Sequence, residues 1–320
     1  MNRVAIIGCG NIGYRHLSAA ASLPAIDEIY VVEPNDHRRL QCLRDNPPPS
    51  AGARLIGLKS VRDLVDLQTD LQLVISAVTS DVQTQLAPQI AGLMSSALLL
   101  EKPVAQGTRA LAGLVAVLSG KRVFVNCARG LWSGYSEARQ LLSETQVHLE
   151  ASGNLLGLGC NAVHFLELFR YLTSTSHVFA SNAQFQLSPL GNKRGIDYEE
   201  FIGTASFRTE RGDTLQLTSG FVSERPSTVS LIAKESATGK ILLVVDEGTG
   251  SLWLPQGELL ARRSLGMLHV SQSTGLFLDA LLNDAPLVAA LPTLEAVRSS
   301  HEALYNCLTT ATGREHFRIT

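Results

Sequence analysis

Three short stretches of this chain bring together residue types that can do chemistry. The first is Gly8-Cys9-Gly10-Asn11-Ile12-Gly13, with Glu33 twenty residues beyond Gly13. The second is Glu101-Lys102-Pro103, and the third runs from Gly157 through Gly159, Cys160, Asn161 and Ala162 to His164 and Glu167. A G-x-G-x-x-G turn has a use for each glycine. Gly8 permits the tight turn out of a strand, Gly10 lacks the Cβ that would keep the backbone from a pyrophosphate, and Gly13 lets the next helix lie close on the sheet. Phosphates would rest on the amides that open that helix, at Asn11 and Ile12. An acid at the distance of Glu33 can accept hydrogen bonds from both hydroxyls of an adenosine ribose, which favours NAD. His37, Arg38 and Arg39 follow closely and could tolerate the extra phosphate of NADP.

A lysine at the C-terminal end of a strand beside a nicotinamide site can bring its ammonium to a substrate hydroxyl, with Pro103 restricting the backbone that holds it. The same tripeptide also reads as a solvated loop. A histidine ordinarily titrates near neutral pH, so His164 could relay the proton released when an alcohol becomes a ketone. At helical spacing Asn161, His164 and Glu167 or Leu168 share a face, while Phe165, Leu166 and Phe169 pack. The bland alternative is a helix histidine with a structural hydrogen bond. A further polar cluster, Lys193 and Arg194 before Tyr198, with Arg225 later, suits a carboxylate or phosphate on a substrate, or else is a solvated loop.

The elements that must position these residues follow a clear order. The apolar run Val4–Ile7 enters the glycine turn, and Ile29–Val32 ends at Glu33. Helix and strand then alternate to about residue 125: a helix from Gly13 to Leu23, a loop at 46–50, strands at 54–57 and 72–78, a helix at 81–94, a strand at 97–100 ending in Glu101-Lys102, a helix at 107–119 and a strand at 122–125. The end of the 72–78 strand, from Ser76 through Ala77 and Thr79 to Ser80, should face the cofactor, because ligands of open α/β sheets bind beyond strand C-termini. After Asn126 come helices near 134–143 and 160–172. Strands follow at 178–187, 201–208, 214–222, 228–233, 241–246 and 251–254, separated by turns as in an antiparallel meander, then helices near 274–283 and 293–310.

The expected fold class is therefore α/β: a Rossmann doubly wound parallel sheet over 1–125, and an α+β domain with a large, mostly antiparallel open sheet over 126–320, whose last helices could return to the first domain. A chain of 320 residues, 45% hydrophobic and 18% charged, has the material for two such cores. A net charge of −2 gives no footprint for nucleic acid or an anionic membrane. The five cysteines are scattered without C-x-x-C spacing, so neither a disulfide framework nor a metal site is expected, and a reducing cytoplasm fits best. The N-terminus enters a strand directly, which leaves no room for a signal peptide.

Together these pieces resemble the Gfo/Idh/MocA family of oxidoreductases, named for glucose–fructose oxidoreductase, inositol dehydrogenase and a rhizopine-catabolism protein. The resemblance rests on the glycine turn with His16 in the first helix, Glu101-Lys102-Pro103-Val104-Ala105, Val125-Asn126 with Arg129, and the glycine-rich start of the helix carrying His164. It implies hydride transfer between NAD or NADP and a carbinol carbon of a sugar or sugar derivative. Lys102 and His164 would flank that carbon, Asn161 would orient the substrate, Glu101 would help hold the cofactor, and Arg129 would stand near the substrate. The sequence departs from the family pattern where it has Cys160 for an aspartate and Ala162 for a glycine. The form Gly-x-Gly-Cys-Asn-Ala-x-His resembles a branch associated with bacterial surface sugars, including sialic-acid-like nonulosonic acids. The resemblance also implies a homodimer or homotetramer built on the open sheet face, where Leu242-Leu243-Val244-Val245 carries apolar residues on both alternation phases. The competing reading is a nicotinamide-binding sensor of the same fold that has lost the chemistry.

Overall fold

The computed structural model describes residues 1–45, 52–154, 156–192, 194–195, 197–220, 229–285 and 291–320. Its elements are β1 (Arg3–Ile7), α1 (Asn11–Ala21), β2 (Glu28–Val32), α2 (Asp36–Asp45), β3 (Arg54–Leu58), α3 (Val61–Asp66), β4 (Leu71–Ser76), α4 (Ser80–Ala91), β5 (Ser95–Leu100), α5 (Thr108–Val117) and β6 (Val123–Val125). After a short 3-10 turn at Ala128–Leu131 come α6 (Ser133–Leu142), β7 (Val147–Asn154), α7 (Ala162–Thr173), β8 (Val178–Leu187), β9 (Phe201–Thr209), β10 (Thr214–Gly220), β11 (Val229–Glu235), β12 (Ile241–Asp246), β13 (Ser251–Gln256), β14 (Leu259–Ser264), α8 (Val270–Leu282) and α9 (Leu294–Thr312). The loop expected at 46–50 lies outside the described residues.

The chain forms two compact units. The first contains Met1–Ala105, Arg109–Asn126 and Leu268–Glu295; the second contains Gln106–Thr108, Cys127–Met267 and Ala296–Thr320. Beside the division expected after residue 125, with last helices that could return to the first domain, the first unit runs to Asn126 and includes α8. That helix packs on α1 and sets Phe277 edge-on to Phe124 at 5.2 Å.

In the first unit the strands are ordered β3-β2-β1-β4-β5-β6, and neighbouring strands pair in parallel. Strands of a parallel sheet covered on both faces need apolar residues at every position. Val4–Ile7, Ile29–Val32 and Leu98–Leu100 meet that need, each being buried throughout. The order reverses direction at β1, so the C-terminal ends of β1 and β4 flank the crevice where such folds bind ligands.

The second unit carries a sheet ordered β14-β13-β12-β11-β7-β10-β9-β8. All its pairings are antiparallel except β7 with β10, which run parallel at the centre. Val147, Leu149 and Ala151 of β7 are buried, while His148, Glu150 and Ser152 occupy the opposite face. There Glu150 pairs with Lys234 at 3.0 Å and with His148 at 3.1 Å, and Ser152 meets Ser230 at 3.0 Å. The open face is thus polar at its centre. Leu242, Leu243 and Val245 are all buried, so the doubled apolar phase of β12 goes mainly into the unit itself. No described helix is long and apolar enough to cross a membrane.

Candidate functional site

Each unit carries candidate site residues of its own. In the first, β1 delivers the chain into the glycine turn. Gly8 has φ +85°, and its amide donates to Val32 O at 2.8 Å, tying the turn to β2. A Cβ at Gly13 would stand 1.9 Å from Gly8 O, so only glycine lets α1 start this close to the turn. A Cβ at Gly10 would meet nothing within 4 Å. The turn is therefore open on the side where a pyrophosphate would approach. A cavity of about 440 Å³ lies there, lined by Cys9, Gly10, Asn11 and Tyr14 and, from α2, by Arg38, Gln41, Cys42 and Asp45. Ala77 and Val78, beyond β4, crowd Gly8, and Thr79 precedes α4 as its N-cap residue. These residues fit a dinucleotide.

Glu33 is buried at the end of β2. Its Oε2 accepts from the Cys9 amide at 3.0 Å and its Oε1 from the Asn35 amide at 3.1 Å, so it braces the glycine turn; a carboxylate oxygen still has a second lone pair for a ribose hydroxyl. The Arg38 guanidinium stands 4.0 Å from the same Oε2. Arg39, in contrast, turns inward to Glu33 O at 2.7 Å and to Asp36.

The expectation that no cysteines pair is corrected here. Cys9 and Cys42 form a disulfide joining the glycine turn to α2, and Cys127, Cys160 and Cys307 are in no disulfide. Their separation of 33 residues carries no local spacing signal, and β2 brings them together. Among the described residues no His, Cys, Asp or Glu group could hold a metal ion.

At the end of β5, Glu101 is buried and holds a network that sequence reasoning did not assemble. Its Oε1 lies 2.9 Å from His16 Nε2 and accepts from Asn126 Nδ2 at 2.5 Å, while His16 Nδ1 is 2.7 Å from Thr274 Oγ1 of α8. Burial pushes the Glu101 carboxyl up, but the hydrogen bond and charge of His16, the Asn126 amide and the neighbouring Lys102 ammonium outweigh it and hold the pKa below the ordinary value. Lys102 follows at once, half-buried, with a cis bond to Pro103. The available signal was a histidine three residues after Gly13, on the face of α1 that packs inward.

In the second unit the turn before α7 carries the remaining residues. Gly157 has φ +81°, and Asn161 is the N-cap of α7, its Nδ2 donating to Leu156 O at 2.9 Å. The His164 amide donates to Asn161 O at 3.0 Å, and His164 is half-buried one turn into the helix. Cys160 is also half-buried. Glu200, unremarked in the sequence, enters this turn: its Oε1 accepts from Gly159 N at 2.6 Å and from its own neighbour Phe201 N at 2.9 Å. Glu167 is buried against Arg170 at 2.9 Å and the Ser300 hydroxyl, and burial pushes its carboxyl up.

Arg129 is engaged inside this unit. Its guanidinium grips Glu247 through two hydrogen bonds of 2.8 and 2.9 Å and lies over the rings of Phe165 at 4.4 Å and Trp132 at 5.3 Å. Burial lowers its pKa, but the Glu247 charge more than restores it. Arg129 thus holds the 3-10 turn to the sheet and braces the helix carrying His164. Arg194 is exposed, its amide bonded to Asn192 Oδ1 at 2.9 Å, and Tyr198 is half-buried with its amide on Gly195 O. Lys193 and Arg225 lie outside the described residues.

Residues 2–127 match the Gfo/Idh/MocA family model, described as an oxidoreductase family with an NAD-binding Rossmann fold. No curated protein sequence matches significantly. Solved structures share the fold along the chain. Biliverdin reductase from Synechocystis sp. PCC 6803, in complex with biliverdin and NADP+, is 16% identical with a TM-score of 0.72, over 98% of this chain and 99% of that one. Levoglucosan dehydrogenase, in complex with NADH and levoglucosan, is 13% identical with a TM-score of 0.73, over 98% and 97%. The myo-inositol 2-dehydrogenase of Lactobacillus plantarum is 14% identical with a TM-score of 0.70, over 100% and 99%. Residues 2–127 of this chain thus match the description of an NAD-binding Rossmann fold of the Gfo/Idh/MocA oxidoreductase family, and their strand order is that of such a fold.

Proposed function

We propose that the chain is an NAD(P)-dependent oxidoreductase that transfers hydride to or from a carbinol carbon of a sugar or sugar derivative, with surface polysaccharide or nonulosonic acid synthesis as its setting. The observation that carries this reading is the Glu101 network, which seats Lys102 at the end of β5 in a nucleotide-binding sheet. The likeness to sugar and inositol dehydrogenases supports the substrate class. Gly8, Gly10, Asn11, Ile12 and Gly13 would hold the pyrophosphate, Glu33 the ribose, and Ala77 and Thr79 the adjoining wall. The nicotinamide, when bound, supplies or accepts the hydride. Lys102 donates a hydrogen bond to the substrate oxygen and polarises it, His164 moves the proton to and from solvent, and Asn161 orients the hydroxyl.

Lys102→Ala and His164→Ala should each lose turnover of NAD(P) with polyols and sugar acids while keeping cofactor affinity within a few-fold. Near-normal kcat in either variant would remove that residue from the mechanism. The sensor reading, favoured by Cys160 in place of an acid, requires instead that no member of such a panel is turned over although ligands shift cofactor affinity.

A further inference from the structure

The turn that launches α7 is built around a carboxylate from elsewhere in the chain. Glu200 is buried, 41 residues from the amide it binds at Gly159. A carbon placed at Gly157 would stand 3.0 Å from Cys160 Sγ, 3.0 Å from Glu200 Oε2 and 3.2 Å from Asn161 Nδ2. These three atoms surround one point and lie within roughly 6 Å of one another. A carbon at Gly159 would stand 2.9 Å from Glu200 Oε1. Both glycines of this turn therefore make room for the carboxylate. Ser219 Oγ takes the Gly157 amide at 3.4 Å, and Leu158 N donates to Phe201 O, closing the turn against β9.

We propose that Glu200 is the positioning acid of this site: its carboxylate fixes the turn that presents Asn161 and His164, and supplies through space the negative charge that the thiol of Cys160 does not. Oε1 is committed to two backbone amides, and Oε2 faces the side where Asn161 Nδ2 and Cys160 Sγ converge. A carboxylate at the N-terminus of α7 also complements the helix dipole. The proposal rests on the oxidoreductase reading for the role of Asn161 and His164, but it is tested without substrate or cofactor, so its failure differs from a failure to find turnover.

The probe is the pH dependence of alkylation by monobromobimane, read on the Cys160 peptide by mass spectrometry. Cys127 and Cys307 are buried and Cys9 and Cys42 are paired, so Cys160 is the accessible thiol. Glu200→Gln keeps an oxygen for the Gly159 amide and removes only the charge. The labelling midpoint should fall by on the order of one pH unit in Glu200→Gln, because a nearby anion opposes thiolate formation, and should stay near wild type in Glu200→Asp. A folded Glu200→Gln protein whose profile superimposes on wild type reduces Glu200 to a backbone latch and overturns the proposal. Should Glu200→Gln not fold, Cys160→Asp against Cys160→Asn gives the same answer. Two carboxylates this close should make Cys160→Asp melt below Cys160→Asn at pH 8, with the gap closing toward pH 4.5. A gap that does not change with pH overturns the proposal.

Discussion

His16 and Glu101, 85 residues apart in sequence, meet at 2.9 Å in the buried interior of the first unit. The pair joins α1, which begins in the glycine turn, to the end of β5, where Lys102 stands. The turn and the lysine are thereby held in one register by a side-chain bridge as well as by the sheet.

Glu101→Gln should destabilise the protein by roughly 3 kcal/mol at pH 7, the scale of removing one partner from a buried charged pair. The folded carboxyl titrates below the ordinary glutamate value, so its contribution is complete above the ordinary value and is lost as pH falls through the lower folded one. Urea unfolding of wild type and variant should therefore show a gap that is wide at pH 7 and narrows below about pH 4. An equal gap at both pH values would show that Glu101 acts by shape alone.

The first unit was legible because each of its signals is local: apolar runs buried on both faces, glycines at fixed offsets, and Glu33 at the end of β2. The second was less so. β7, the strand at the centre of its sheet, was not expected, because Val147, Leu149 and Ala151 alternate with His148, Glu150 and Ser152 over only a few residues. Its parallel pairing with β10 places His148 opposite Thr214, a match that no local pattern encodes. α3 and β14 were missed for the same reason of brevity, and β14 is largely polar and exposed. Of the candidate site, Lys102, Asn161 and His164 are proposed from residue type and order. Glu200, the His16 bridge and the Cys9–Cys42 pair could not be read that way, since each depends on tertiary contact over tens of residues.

The Cys9–Cys42 bond closes a loop that includes all of α1 and β2. Non-reducing peptide mapping should recover these two residues as one cross-linked peptide and the other three as free thiols. Reduction, or Cys42→Ser, should cost about 4 kcal/mol of stability for a loop of this size. It should also alter dinucleotide affinity, because both residues line the cavity at the glycine turn. Five alkylated thiols in protein unfolded without reductant would remove the bond.

The open face of the second unit's sheet is the surface proposed for self-association. We expect a homodimer or homotetramer that buries the open face against its own copy, with closed symmetry. The polar ladder of His148, Glu150 and Lys234 makes such an interface sensitive to charge. Light scattering at micromolar concentration should give a multiple of the chain mass, and Glu150→Arg should shift it toward the monomer. A monomer mass for wild type would refute the arrangement.

Cofactor preference turns on Glu33 and Arg38, which lie 4.0 Å apart at the ribose end of the site. A 2′-phosphate would meet the Glu33 carboxylate, so NAD(H) should bind more tightly than NADP(H) in calorimetric titrations. Glu33 also holds the Cys9 and Asn35 amides, however, and Glu33→Ala should therefore weaken NAD(H) as well as narrow the gap between the two cofactors. Arg38 is largely exposed and free to turn toward a phosphate. Arg38→Ala should weaken NADP(H) by about tenfold, the scale of one charge-assisted hydrogen bond, and leave NAD(H) nearly unchanged. Equal or tighter binding of NADP(H) by the wild-type protein would reverse the assignment and make Arg38, not Glu33, the residue that sets the choice.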